Sequence, residues 1–133
     1  MKEINELITN EILINENFFT SIIGLNPSKG ARSPLLWNAA FKEFEFSSKM
    51  YPLDVEKENL ENLIQTLQET ENYKGGAVAA PYKIIIADIL KNNLTPEARA
   101  IGAINCIFRD RNGFLKGTNT DGEAALKCIL KNI

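Results

Sequence analysis

Apolar residues Ile4, Leu7, Ile8, Ile12 and Leu13 recur at helical spacing and predict a helix over residues 3–14 lying on the core. A β-branched and aromatic run, Phe18–Ile23, predicts a buried strand that ends at a Gly-Leu-Asn-Pro loop. Ser33 followed by Pro34 predicts a helix start, with the hydroxyl capping orphan N–H groups and the proline standing where no donor is needed; this helix should reach about Phe46. Lys49–Val55 predicts a second strand, interrupted by Pro52. Apolar spacing through Leu60, Leu63, Ile64 and Leu67 predicts a helix over residues 56–71.

Gly75-Gly76 predicts a turn, Ala77–Ala80 a short central strand, and Pro81 the first position of a helix that runs to Leu90. Thr95-Pro96-Glu97 starts another short helix. Strands at Ala103–Arg109 and Gly113–Gly117 flank an Asn112-Gly113 hairpin turn. A last helix begins at Thr120, where Thr120 and Glu123 fit a capping box and Asp121 sits in the first turn, favourable for the helix dipole. This alternation predicts an α/β fold: a mainly parallel sheet with helices on both faces.

Composition narrows the function classes. With 133 residues and 44% hydrophobic content, the chain suffices for one core, so residues 1–133 read as a single domain. Fifteen basic and 17 acidic residues are mixed along it for a net charge of −2, which offers no field to gather nucleic acid or an anionic membrane. Cys106 and Cys128 have no CxxC spacing and the chain has no histidine, so no metal site is expected and both thiols read as reduced, in a cytoplasmic protein. The first residues, MKEINELITNEIL, carry acids among apolar positions, unlike a signal peptide, and no run approaches the ~20 apolar residues of a membrane span.

In an open α/β sheet, small molecules bind beyond the carboxyl ends of the strands. Three of the loops described leave strands there, and the helix starts at Ser33 and Pro81 would point N–H groups into the crevice, which favours an anionic or hydroxyl-rich ligand. Ser33, Lys83, Asn105 and Asp121 would line it. A lysine held beside a carboxylate can donate a proton to a ketone oxygen that is being reduced, or take it back in reverse. Taken singly, each residue has a plainer reading. Lys83 reads as a solvated side chain, Asp121 as a helix-start acid, Asn105 and Asn119 as turn residues, and Cys106 as a buried small side chain.

Four ordered segments, NPSKGARSPLLWNAAF, GGAVAAPYK, IGAINC and GTNTD, change that balance. From about Ile22 onward the chain resembles the N-terminal, substrate-binding domain of the shikimate dehydrogenase family, including its quinate/shikimate relatives, whose patterns are S-x-S-P, G-x-N-V-T-x-P-x-K, iGAvNT and G-x-N-T-D. The resemblance implies an acid/base Lys83 paired with Asp121, Ser33 on a substrate carboxylate, and Asn105, Thr120 and Asp121 near ring hydroxyls. It implies interconversion of 3-dehydroshikimate and shikimate, or of a related cyclic hydroxy-acid, in aromatic amino acid biosynthesis. It also implies NADP or NAD held by a Rossmann domain for which this chain has no G-x-G-x-x-G, so the chain alone is expected to be inactive. Oligomeric state stays open.

Departures from the patterns leave alternatives. Ala31 replaces the first serine of S-x-S, Gly30 a histidine, Ala77 and Ala79 the asparagine and threonine before Pro81, Cys106 the threonine of GAvNT, and Trp37 a histidine. Each hydroxyl lost to a charged partner costs roughly 1.5–3 kcal/mol, so shikimate should bind weakly. A non-catalytic ligand-binding or regulatory module, or a dehydrogenase for a different hydroxy-acid, are the rival readings. Arg32, beside the lost serine, is the candidate compensator, because a guanidinium can grip a carboxylate by two hydrogen bonds. Calorimetry of an Arg32→Ala variant against a cyclic hydroxy-acid is expected to show weaker binding; unchanged affinity would leave Arg32 on the surface.

Overall fold

A computed structural model describes residues 3–132; Met1, Lys2 and Ile133, part of the domain expected over residues 1–133, lie outside the described residues. Five strands form one sheet in the order β2-β1-β3-β4-β5, with β1 at Phe18–Gly24, β2 at Ser48–Asp54, β3 at Tyr73–Val78, β4 at Cys106–Arg109 and β5 at Leu115–Thr118. β1 runs parallel to both β2 and β3, while β4 is antiparallel to β3 and to β5. Four of the five strands therefore point the same way, as the alternating pattern requires, and the hairpin supplies the one reversed strand.

Alternation along β1 divides the sheet into two unlike faces. Phe19 and Ile23 join Tyr51, Leu53 and Tyr73 in the core, where α1 (Ile4–Leu7), α3 (Leu60–Gln68) and α4 (Lys83–Ile89) add Leu7, Leu63, Leu67 and Ile86. The buried Ser21 hydroxyl on that face meets the Tyr73 hydroxyl at 2.8 Å, so neither polar atom is stranded. On the opposite side, α2 (Ser33–Glu43) lies along β2 with no buried residue of its own and leaves much of the second face open. α5 (Pro96–Ile101) starts at Thr95, as its sequence predicts, with the Thr95 hydroxyl as cap, and it ends at Gly102 in the left-handed region.

The free edge of β2 explains why the first helix stops early. Its outward backbone groups need partners, and side chains provide them: Asn38 bonds Met50 N and O (2.7 and 3.2 Å), and Asn10 bonds Asp54 N and Pro52 O (both 2.9 Å). Thr9 N donates to Asp54 O at 2.7 Å. Residues 9 and 10 are thereby drawn out of helical geometry, so the helix expected over residues 3–14 is confined to Ile4–Leu7. Pro52 stands where its missing N–H would face outward, and β2 runs through it uninterrupted.

Glycine and proline near the site also behave unlike the sequence reading. Gly75 and Gly76 lie inside β3 and make no turn, at φ +113° and +146°. A Cβ at Gly75 would sit 2.1 Å from Ile107 O, and one at Gly76 1.9 Å from Ser21 O, so the strands on either side close onto bare backbone. β3 runs from Tyr73 to Val78, so it begins before the two glycines and ends two residues before the end expected for it. The Ala80–Pro81 peptide is cis, Tyr82 N bonds Ala79 O at 3.1 Å, and the helix opens at Lys83 instead of Pro81. Ser33 makes no side-chain cap, since Arg32 occupies the cap position, and α2 stops at Glu43 before Glu45 at φ +57°. α3 is shorter than residues 56–71 because a tight turn over Lys57–Asn59 precedes it.

Arg109 ties the sheet to α3. Its guanidinium donates to five backbone carbonyls, those of Leu67, Gln68, Thr70, Tyr73 and Gly113, at 2.6–3.1 Å. Charge-assisted bonds of this kind satisfy the last carbonyls of the helix and the hairpin turn together. Arg109→Ala is expected to lower unfolding free energy by about 3 kcal/mol, a drop in Tm on the order of 10 °C, measured by thermal and urea denaturation. A loss below about 0.5 kcal/mol would show these bonds to be replaced by water.

Candidate active site

Lys83, Asn105, Thr120 and Asp121 come from three places in the sequence and meet at the strand ends. Lys83 opens α4, and its carbonyl accepts Ile104 N at 2.9 Å, which fastens the helix start to the segment before β4. Asn105 is fixed on both sides of its backbone: its N donates to Thr118 O (3.1 Å) and its O accepts Val78 N (2.9 Å). The residue is thus a continuation of the sheet between β3 and β5, and its side chain can project in only one direction.

That side chain organises the start of α6 (Asp121–Lys131). Asn105 Nδ2 donates to Asp121 Oδ1 (2.8 Å) and to Thr120 Oγ1 (3.0 Å), and Asn105 Oδ1 accepts Thr120 N (3.1 Å). Asn119, nearly buried, bonds Ala103 O at 3.1 Å and accepts Asp121 N at 3.0 Å. The capping box expected of Thr120 and Glu123 does not form, because the Thr120 hydroxyl is engaged by Asn105 and Glu123 pairs with Lys127 at 3.0 Å. With one carboxylate oxygen held by Asn105, the other, Oδ2, faces Lys83 Nζ at 3.7 Å. Lys83 and Asp121 side chains are 41% and 66% exposed, and an ion pair this open contributes at most about 1 kcal/mol to folding. Stability does not require it.

Two other residues named from the sequence stand apart. Ser33 and the exposed Arg32 lie at the head of α2 and share no hydrogen bond or ion pair with the other four among the described residues. The loop before them is anchored by a residue that sequence reading passed over. Asp54, only 3% exposed at the end of β2, accepts Ser28 N at 2.9 Å through Oδ1 and the Ser28 hydroxyl through Oδ2. One position further on, Val55 O accepts the Tyr82 hydroxyl at 2.7 Å, which secures the residue next to Lys83. No local pattern marks Asp54, because its partner Ser28 lies 26 residues away along the chain. Burial pushes the Cys106 thiol upward from its ordinary pKa.

Among the described residues no cluster of three histidine, cysteine or acidic side chains is placed to hold a metal ion, and no helix is long and apolar enough to cross a membrane. Gly75 and Gly76 face neighbouring backbone and cannot cradle a dinucleotide phosphate.

Comparison with known proteins places the chain in a class of substrate-binding domains. Residues 22–107 match the family described as shikimate dehydrogenase substrate binding domain, and the chain belongs to that family. The shikimate dehydrogenase (NADP(+)) of Methanosphaera stadtmanae is 39% identical over 121 residues, covering 90% of this chain and 41% of the relative. That of Caldanaerobacter subterraneus is 38% identical over 104 residues, covering 77% and 36%. A shikimate dehydrogenase crystallised with NADP+ superposes with TM-score 0.77 at 31% identity, over 88% of this chain and 39% of that one. The Listeria monocytogenes shikimate 5-dehydrogenase in complex with shikimate and NAD gives 0.76 at 26%, over 94% and 42%. The chain therefore spans about two fifths of the length of such relatives.

If Asn105 holds Asp121 in place, removing either should weaken the other. A double-mutant cycle of Asn105→Ala and Asp121→Ala in urea unfolding is expected to show coupling of about 0.5–1 kcal/mol; additive losses would mean that the 2.8 Å contact is not maintained in solution.

Proposed function

We propose that this chain seats a cyclic hydroxy-acid of the shikimate class and provides the proton for its interconversion with the corresponding ketone. The observation that carries the reading is the approach of Lys83 Nζ to Asp121 Oδ2 at 3.7 Å, beside an asparagine that holds the same carboxylate at 2.8 Å. A carbonyl oxygen that becomes a hydroxyl needs one proton. The Lys83 ammonium supplies it and recovers it in reverse, while Asp121 keeps the ammonium in place and accepts the hydrogen bond of the ring hydroxyl. Among the described residues Asn105 Oδ1 accepts one hydrogen bond, from Thr120 N, and keeps a lone pair for the ring hydroxyl. Thr120 frames the same corner.

Ser33 takes the substrate carboxylate in this reading, and Arg32 compensates for the hydroxyl missing at Ala31. Both stand at the head of α2, just after the loop that Asp54 anchors through Ser28. Reduction of the ketone also needs a hydride, which a nicotinamide of NADP or NAD supplies. The cofactor is assigned to a domain outside these residues, in line with NADP(+) in the names of the relatives. The cytoplasm is the assigned compartment, supported by two free cysteines. Nucleic acid and membrane are not among the partners proposed.

Two measurements test the reading. Added to the chain alone, 3-dehydroshikimate and NADPH are expected to leave NADPH absorbance unchanged, whereas calorimetry is expected to detect binding of the ring acid. In a protein joining these residues to a nicotinamide-binding domain, Lys83→Ala should lower turnover by about 10²- to 10⁴-fold with the fold intact; an unimpaired Lys83→Ala would remove Lys83 from the chemistry.

A further inference from the structure

Beyond the Lys83–Asp121 corner, the open face of the sheet contains a chamber of about 330 Å³. Its walls are the apolar side chains of Trp37 from α2, Met50 from β2 and Ala77 from β3, with Cys106 at the start of β4. Asn105 and Thr120 form the rim it shares with the acid/base pair. A second cavity, of about 500 Å³, adjoins the loop of Leu25–Ala31 and is lined by Ala31, Ala79 and Pro81. Ala77 and Ala79, two residues apart and so on the same side of the chain, contribute one to each.

The N–H groups around the chamber are already committed. Both N–H groups of Asn105 are used, on Thr120 Oγ1 and Asp121 Oδ1, and Thr120 N is taken by Asn105 Oδ1. Thr20 Oγ1, in the chamber wall, has no hydrogen-bond partner, but it is occluded from solvent and a guest cannot reach it in this conformation. The rim can serve the hydroxyl of the oxidised carbon through its remaining lone pair and the Thr120 proton, and the chamber behind it offers no reachable partner. A hydroxyl buried there would lose its water without gaining a partner.

We propose that this chamber seats the unsubstituted edge of a cyclic carboxylic acid carrying a hydroxyl only at the carbon that is oxidised, with Ala77 and Cys106 as the residues that set this preference. The inference rests on the function proposed above and names the substrate within its class. A pocket that merely lacks partners for a hydroxyl discriminates against it by roughly 10- to 100-fold.

Trp37 is the single tryptophan of the chain, half exposed at 52%, so its emission reports directly on entry into the chamber. The chain is titrated with shikimate and with the cyclohexene carboxylate that keeps only the hydroxyl at the oxidised carbon. Tryptophan emission and calorimetry are followed together. The mono-hydroxylated acid is expected to shift Trp37 emission and to bind at least about tenfold more tightly than shikimate. Ala77→Leu, checked by circular dichroism, should abolish both the shift and the preference. In Cys128→Ser protein, the mono-hydroxylated acid should slow thiol labelling of Cys106, a readout that does not depend on the leucine variant folding. Shikimate binding as tightly as the other acid, an unchanged Ala77→Leu response, or unprotected Cys106 would each overturn the chamber. If shikimate binds in a Lys83-dependent manner while Trp37 stays silent to both acids, the chamber falls and the proposed function stands. If neither acid binds by calorimetry, both fall.

Discussion

Asn105 is the residue through which the rest of the site is built. Its backbone completes the sheet between Val78 and Thr118, and its amide sets the conformation at Thr120 and Asp121. A small amide with two donors and one acceptor oxygen suits this position, because a longer side chain would overshoot the start of α6 and a hydroxyl has one donor too few. The carboxylate that meets Lys83 is therefore oriented by a residue that the sheet holds on both sides of its backbone.

The same logic runs through the opposite wall of the crevice. β2 lies at the edge of the sheet, and its outward backbone groups are closed by Asn10, Thr9 and Asn38 in place of another strand. That closure leaves the strand free to end in a buried acid whose two oxygens hold Ser28, and in a carbonyl that holds Tyr82. One strand end thus fixes both the loop leading to Ser33 and the approach to Lys83. Protection against edge pairing and placement of ligand-facing loops are solved by the same few side chains.

Much of this was legible in the sequence where a signal is local. The order of strands and helices, the cap at Thr95, and the convergence of Lys83 with Asn105, Thr120 and Asp121 follow from periodicity, cap chemistry and ordered motifs. What escaped was set by contacts distant along the chain. Ile4–Leu13 has helical spacing, yet β2 competes for Thr9 and Asn10. Gly75-Gly76 carries the composition of a turn, yet the neighbouring strands close so tightly that only glycine fits in the middle of β3. Pro81 looks like a helix start, yet the chain turns through Ala79–Tyr82 before α4 begins. Asp54 and Arg109 carry no local signature at all, because their roles exist only once β2, α3 and the hairpin are assembled.

The account stands or falls on a ring acid lying between an ammonium and a carboxylate that the sheet has brought together. The most direct measurement is a crystal structure of this chain grown with a cyclic hydroxy-acid. The account predicts one ring hydroxyl within hydrogen-bond distance of both Lys83 Nζ and Asp121 Oδ2, with the ring carboxylate toward Ser33. A ring bound elsewhere, or Lys83 and Asp121 turned away from each other around it, would contradict it.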